Sequence, residues 1–149
     1  MIRVQEQPFD VGAELAALTA GRTDVGAVAS FVGLVRDMAD EPIAAMTLEH
    51  YPGMTEGKLA EIEAEANARW PLQASLIVHR YGRMLPGEPI VLVATASSHR
   101  AAALEACAFL IDWLKTQAPF WKLEETREAR RWVEARHTDD EAAARWQQR

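Results

Sequence analysis

Residues 99–116 read as one helix that is apolar almost all the way round. Leu104, Phe109, Leu110, Ile111, Trp113 and Leu114 leave only Glu105, Asp112 and Thr116 as a narrow polar stripe. A helix with so little polar face must be covered on several sides, by a sheet and by another element or a second subunit. The apolar stretch 90–96 precedes it, bounded by the turn chemistry of Leu85-Pro86-Gly87-Glu88-Pro89, and reads as a central strand. Ser97 or Ser98 is expected to cap the helix, and Pro119 ends it. Whatever else this chain folds into has to enclose that strand–helix pair.

The remaining segments alternate in type. Ile2 and Val4 mark a short first strand, and Asp10 caps a helix over 11–20 that Gly21 stops. Residues 24–35 form a strand with a bend or close backbone approach at a glycine, Gly26 or Gly33. Residues 44–51 form another, with Met46, Leu48 and His50 on one face. Thr55 is expected to cap a helix running to about Arg69, whose outer face carries Glu56, Glu61, Glu63 and Glu65 as a solvated acidic side. A strand over 74–81 follows. Residues 120–125 and 131–135 read as a late hairpin, and Thr138-Asp139-Asp140-Glu141 as a capping box for a last helix to Trp146. The order β-α-β-β-α-β-β-α-β-β-α, without repeats or linkers, predicts an α+β domain spanning 1–149 with a largely antiparallel or mixed sheet.

At 149 residues the chain can bury a core without disulfides, and its single cysteine, Cys107, rules out an internal one. There is no zinc-type Cys/His spacing, no apolar signal core in the first residues, and no run approaching a membrane span. The expectation is a reduced, cytoplasmic protein. A net charge of −6 argues against a broad nucleic-acid surface, though not against a local basic pocket.

Three lysines stand against thirteen arginines, and two of the three, Lys115 and Lys122, lie seven residues apart among apolar and aromatic neighbours. A guanidinium is always charged, whereas an ammonium can lose its proton when desolvated. The pair therefore reads either as positions that want an amine or as ordinary solvated lysines. His99-Arg100 opens the apolar helix, where the free N–H groups and the dipole favour an anion over a cation. Either an anion binds there, or both side chains turn back to solvent or an acidic neighbour. Arg36 leaves a strand as an ordinary surface arginine or an anion ligand. His79-Arg80 reads as a strand-end pair facing solvent, and His50 as a satisfied, half-buried histidine. On the late hairpin, Arg127, Arg130, Arg131 and Arg136 interleave with glutamates. No nucleophile elbow or phosphate-binding glycine loop is present, and Cys107, mid-helix on an apolar surface, reads as a structural thiol. What survives is a metal-free basic pocket of Lys115, Lys122, Arg36, His99 and Arg100, suited to an anionic substrate and lysine-assisted chemistry.

Several blocks together resemble a known family. They are Phe31-Val32-Gly33-Leu34-Val35-Arg36, Leu48-Glu49-His50-Tyr51-Pro52-Gly53-Met54, His79-Arg80-Tyr81-Gly82, Ser98-His99-Arg100, Trp113 through Lys122, and Arg131-Trp132-Val133-Glu134-Ala135-Arg136. From about Val25 to the C-terminus they resemble the large, catalytic subunit of molybdopterin synthase. Leu34 and Leu123 depart from that pattern, where a polar or basic residue is frequent.

The resemblance implies an α/β hammerhead fold with an additional antiparallel β subdomain. It also implies a homodimer with a small ubiquitin-like sulfur carrier at each end, making a heterotetramer. The carrier's C-terminal Gly-Gly thiocarboxylate would supply two sulfurs to cyclic pyranopterin monophosphate, giving the molybdopterin dithiolene without a metal or other cofactor. Lys115 would lie beside the carrier's terminal glycine, for proton transfer or transient covalent capture. Lys122 would hold substrate or developing negative charge. Arg36, His99 and Arg100 would form the anion pocket, with Phe31 lining it and Arg136 as a further basic residue. The carrier is expected to be a separate protein. Two rivals are a non-catalytic adaptor for a ubiquitin-like tail and a generic phosphate-ligand binding protein.

Overall fold

The computed structural model describes residues 1–37, 42–126, 130–133 and 137–147. In chain order the elements are β1 (Ile2–Gln5), α1 (Val11–Thr19), β2 (Ala27–Leu34), β3 (Ile43–His50), α2 (Met54–Arg69), β4 (Leu72–Arg80), β5 (Gly82–Met84), β6 (Pro89–Ser97), α3 (Arg100–Gln117), β7 (Phe120–Thr126), β8 (Arg130–Val133) and α4 (His137–Ala144). They make a mixed α+β protein with two four-stranded sheets, ordered β1-β4-β6-β2 and β5-β3-β7-β8. The first is mixed, because β1 runs parallel to β4 while the other pairs are antiparallel. The second is antiparallel throughout. No helix among the described residues is long and apolar enough to cross a membrane.

β6 is central, as its apolar run predicts. Side chains alternate across a strand, so Leu92 and Ala94 face one side with Phe9, Val11, Leu15 and Leu18 of the α1 region. Val91 and Val93 face the other, against Phe109, Leu110 and Leu114 of α3. α3 packs on β2 and β6 and is flanked by α2 and α4, which is the many-sided cover its composition demands. Fully burying each large apolar side chain contributes roughly 1.5–3 kcal/mol. The polar stripe is used as well: Glu105 accepts from the Trp70 indole at 3.0 Å, and Asp112 accepts from the Trp146 indole at 2.7 Å.

Several local expectations are corrected. α2 is capped by Gly53, not Thr55; Glu56 reaches back to the Gly53 amide at 2.5 Å, and Thr55 is fully buried inside the first turn. The acidic face of α2 is not wholly solvated, because Glu63 binds both the N-terminal ammonium and the Ser75 hydroxyl. His99, not a serine, is the N-cap of α3, and its side chain makes no cap bond. The serine hydroxyls are spent elsewhere, Ser97 donating to the Pro71 carbonyl and Ser98 to that of Asp24. β5 was not expected; three residues are too few for a period to register. α4 begins at His137, with Thr138 inside it.

Both glycines flagged in the β2 region matter. The β2/β6 register shifts between Gly33 and Leu34, and a side chain at Gly33 would press on Val91 at 2.8 Å and on the Phe31 ring at 3.4 Å. At Gly26 it would collide with the Ser98 carbonyl, at the junction that launches α3. That neighbour is backbone and cannot rotate away. Gly26→Ala is therefore expected to cost about 1–3 kcal/mol, measured as a lower urea midpoint with an unchanged m-value.

Candidate functional site

The site is built where the two sheets meet. β4 ends at Arg80, and the chain turns at Gly82 (φ +91°) into β5 of the second sheet. α3 ends at Gln117, Pro119 breaks it, and Phe120 begins β7 of the same second sheet. Lys115 sits half-buried on the last turn of α3. Lys122 sits half-buried on β7, paired with Leu48 on one side and Val133 on the other.

Between these chain crossings lies His79. Its ring stacks on Phe120, with centroids 3.7 Å apart and planes 16° apart, and its Nδ1–H donates to the Arg80 carbonyl at 2.8 Å. Burial pushes its pKa down from 6.5 to about 3, and the charges of Lys115, Lys122 and His50 push the same way. Both lysines therefore act on one buried imidazole, although the helix break separates them in sequence.

His50 is half-buried and satisfied, as expected. The Thr55 hydroxyl donates to the Tyr51 carbonyl at 2.9 Å, so it can only accept from His50 Nδ1–H, 3.1 Å away. The His50 ring also lies 4.6 Å from Tyr81 and 5.9 Å from Phe120. Tyr81, His50, Phe120 and His79 thus form a ring cluster beneath the lysine segment.

The expectation that His79-Arg80 faces solvent is wrong. His79 is 4% and Arg80 5% exposed. The second sheet folds over the end of β4, which a strand pattern cannot reveal. Arg80 is held by the carbonyls of Glu6 at 3.1 Å and Pro89 at 3.0 Å, with Glu88 at 3.4 Å. The sequence signal that could have found His79 was its position at the end of an otherwise apolar strand, where a polar pair needs buried partners.

The other candidates divide between the two ends of α3. Residues 100 and 115 stand about 22 Å apart along the helix axis at 1.5 Å per residue, so one protomer does not bring His99 and Arg100 to the lysines. Both are exposed beside the β6–α3 junction. Arg36, also exposed, follows β2 at the opposite end of the first sheet, where the Val35 amide donates to the Glu88 carbonyl, and so lies at the end where α3 finishes. Phe31 is 37% exposed on β2, opposite Val93. Arg136 lies outside the described residues, as do Arg127 and Glu128. On the late hairpin, Arg130 pairs with Glu125 at 3.3 Å, the ion pairing its composition suggested. Cys107 is buried with its thiol pushed up to about 11, as befits a structural cysteine. Among the described residues, no three His, Cys, Asp or Glu side chains group as metal ligands.

Fold and site together define a two-sheet α+β protein whose Lys115 and Lys122 lie on either side of a helix break, next to a ring cluster centred on buried His79. The chain belongs to the MoaE family, whose model, described as MoaE protein, matches residues 4–117. The molybdopterin synthase catalytic subunit of Pseudomonas aeruginosa is 57% identical over 148 residues, covering 99% of each chain. Among solved structures, the molybdopterin biosynthesis MoaE protein from Burkholderia ambifaria superposes with a TM-score of 0.85 at 56% identity, covering 99% of this chain and 97% of that one. Molybdopterin synthase from Staphylococcus aureus gives 0.82 at 30% identity, covering 89% and 96%.

The neutral His79 has a thermodynamic consequence. Below pH 6.5 the unfolded chain protonates this imidazole while the fold does not, down to about pH 3. Its contribution to stability is complete above pH 6.5 and is lost as pH falls, by up to about 1.4 kcal/mol per pH unit. Urea denaturation at pH 7 and pH 5 should show the wild type losing on the order of 2 kcal/mol more than His79→Phe. Equal losses in both would mean that His79 accepts its proton within the fold.

Proposed function

We propose that this chain is a molybdopterin synthase catalytic subunit, transferring two sulfurs from the C-terminal thiocarboxylate of a small ubiquitin-like carrier to cyclic pyranopterin monophosphate. The observation that carries this reading is that Lys115 ends α3 and Lys122 lies on β7, on either side of the Pro119 break and of the Phe120 ring that stacks on buried His79. A thiocarboxylate, a phosphate and an alkoxide leaving group are all anionic. Fixed cations in a partly enclosed site stabilise such charge without reorganising. Lys115 serves the carrier's terminal carbonyl, by proton transfer or transient capture, and Lys122 holds substrate or developing charge. Enclosure by the carrier's tail limits wasteful hydrolysis of the thiocarboxylate.

Arg36, at the lysine end, belongs to the phosphate pocket, lined by Phe31 and extended by Arg136. His99 and Arg100 join it from a second copy. β2 is an edge strand with Val28, Phe31 and Leu34 exposed, an apolar edge that invites cover. Pairing two β2 strands antiparallel sets the Ala27 end of one beside the Leu34 end of the other. That arrangement brings His99 and Arg100 of the partner subunit toward Arg36. The reading is thus a homodimer within a heterotetramer, acting in the cytoplasm, each chain working as a single unit over 1–149 without a cofactor. The first sheet with its helices corresponds to an α/β hammerhead and the second sheet to the additional antiparallel subdomain.

Lys115→Ala should lower molybdopterin formation by roughly 10²-fold or more in an assay with thiocarboxylated carrier and substrate, while carrier binding on size-exclusion chromatography persists. An undiminished rate would remove Lys115 from the chemistry. Arg100→Ala should raise the substrate KM, and mixing it with Arg36→Ala in one dimer population should restore some sites to wild-type behaviour if His99 and Arg100 act across the interface. A mass in solution equal to one chain would contradict the dimer.

A further inference from the structure

We propose that His79 is a positioning residue for the lysine pair: its ring stack on Phe120 sets where the post-helix segment carrying Lys122 lies relative to Lys115. This inference rests on the reading of the lysines as the reaction centre and adds to it a residue that touches neither substrate nor carrier.

Three observations support it. First, the stack is the ring contact that joins the end of β4 directly to the start of β7, which are otherwise linked through the β5–β3–β7 pairing. His79 is the penultimate residue of β4 in the first sheet, and Phe120 the first residue of β7 in the second. A 3.7 Å face-to-face contact fixes both the height and the tilt of the segment after Pro119. Second, His79 is itself immobilised. Its Nδ1–H is committed to the Arg80 carbonyl, and the Arg80 guanidinium is tied to Glu6, Glu88 and Pro89. The imidazole is an anchor, not an adaptable filler. Third, the groups facing it electrostatically are Lys115, Lys122 and His50, each opposing charge on it. A positive ring here would repel both lysines, whereas the neutral, stacked ring adds no further cation beside them. Phe120 is also paired across the strands with His50, whose ring lies 5.9 Å away and is oriented by Thr55.

The chain carries its own control. Lys58, on α2, pairs with Glu61 at 3.2 Å, is the only other lysine, and is not among the charges that act on His79. Competitive labelling with a trace of amine-reactive reagent, read by mass spectrometry, gives the reactivity of Lys115 and Lys122 relative to Lys58 without substrate or carrier. The expected result is a change of at least threefold in one or both ratios for His79→Ala, with His79→Phe, which keeps a neutral ring for the stack, returning them toward wild type. With carrier and substrate present, His79→Ala should lower kcat by tenfold or more with the substrate KM within about twofold, and His79→Phe should recover most of the kcat. If His79→Ala does not fold, Phe120→Leu removes the other ring and is held to the same expectations. Labelling ratios identical to wild type in the folded variant overturn the proposal. So does equal impairment in His79→Ala and His79→Phe, which would assign the effect to the imidazole nitrogens. Shifted ratios in a protein whose wild type makes no molybdopterin would uphold the positioning role and reject the assigned reaction instead.

Discussion

The buried ring of Phe109 is the contact on which the rest depends. It lies 5.3 Å from Trp70 at the end of α2, 4.9 Å from Trp113 on its own helix and 5.9 Å from Trp146 after α4, with the Arg69 guanidinium 4.7 Å from its centre. Three helices are thereby fixed against one another on the face of the first sheet. Because α3 cannot slide or roll within that grip, the position of its last turn is determined. The amine of Lys115 is delivered by a core contact about 9 Å away along the helix.

Electrostatics then follow from enclosure. The second sheet closes over the end of β4, and water is excluded from His79 and Arg80. Exclusion has opposite effects on the two side chains. The Arg80 guanidinium meets three acceptors, whereas burial, helped by positive neighbours, holds the imidazole neutral. The same low dielectric that neutralises His79 lengthens the reach of the lysine charges toward an incoming anion.

Much of this was legible in the sequence, for identifiable reasons. The two-sided burial of β6 and the cover around α3 follow from apolar runs too dense for a solvated surface. Asp10 caps α1 through the Ala13 amide as its position predicts. Misreadings arose where two local signals competed or where the decisive contact was distant. Thr55 resembles a cap, but Pro52-Gly53 had already turned the chain, and Glu56 supplied the reciprocal bond. The one local sign of His79 burial was its place at the end of an apolar strand, and what buries it lies some forty residues onward at Phe120. That Lys115 ends a helix and Lys122 lies on the following strand could be anticipated from a helix ended by proline. The distance of His99 and Arg100 from that pair could also have been anticipated, since both ends belong to one straight helix. Placing all five basic residues in one pocket needs a second copy of the chain.

That straight helix works as a ruler. Each residue advances 1.5 Å and turns about 100°, and both ends of α3 carry groups whose direction matters. Substitutions along its length can be absorbed by repacking, but a single inserted or deleted residue cannot. It would swing Lys115 a quarter-turn or more away from His79, or unseat Phe109 from its three tryptophans, while every side chain needed for the chemistry remained present. Drift in this protein should therefore be freer in the identity of the α3 residues than in their number, and length changes should collect in the turns outside it.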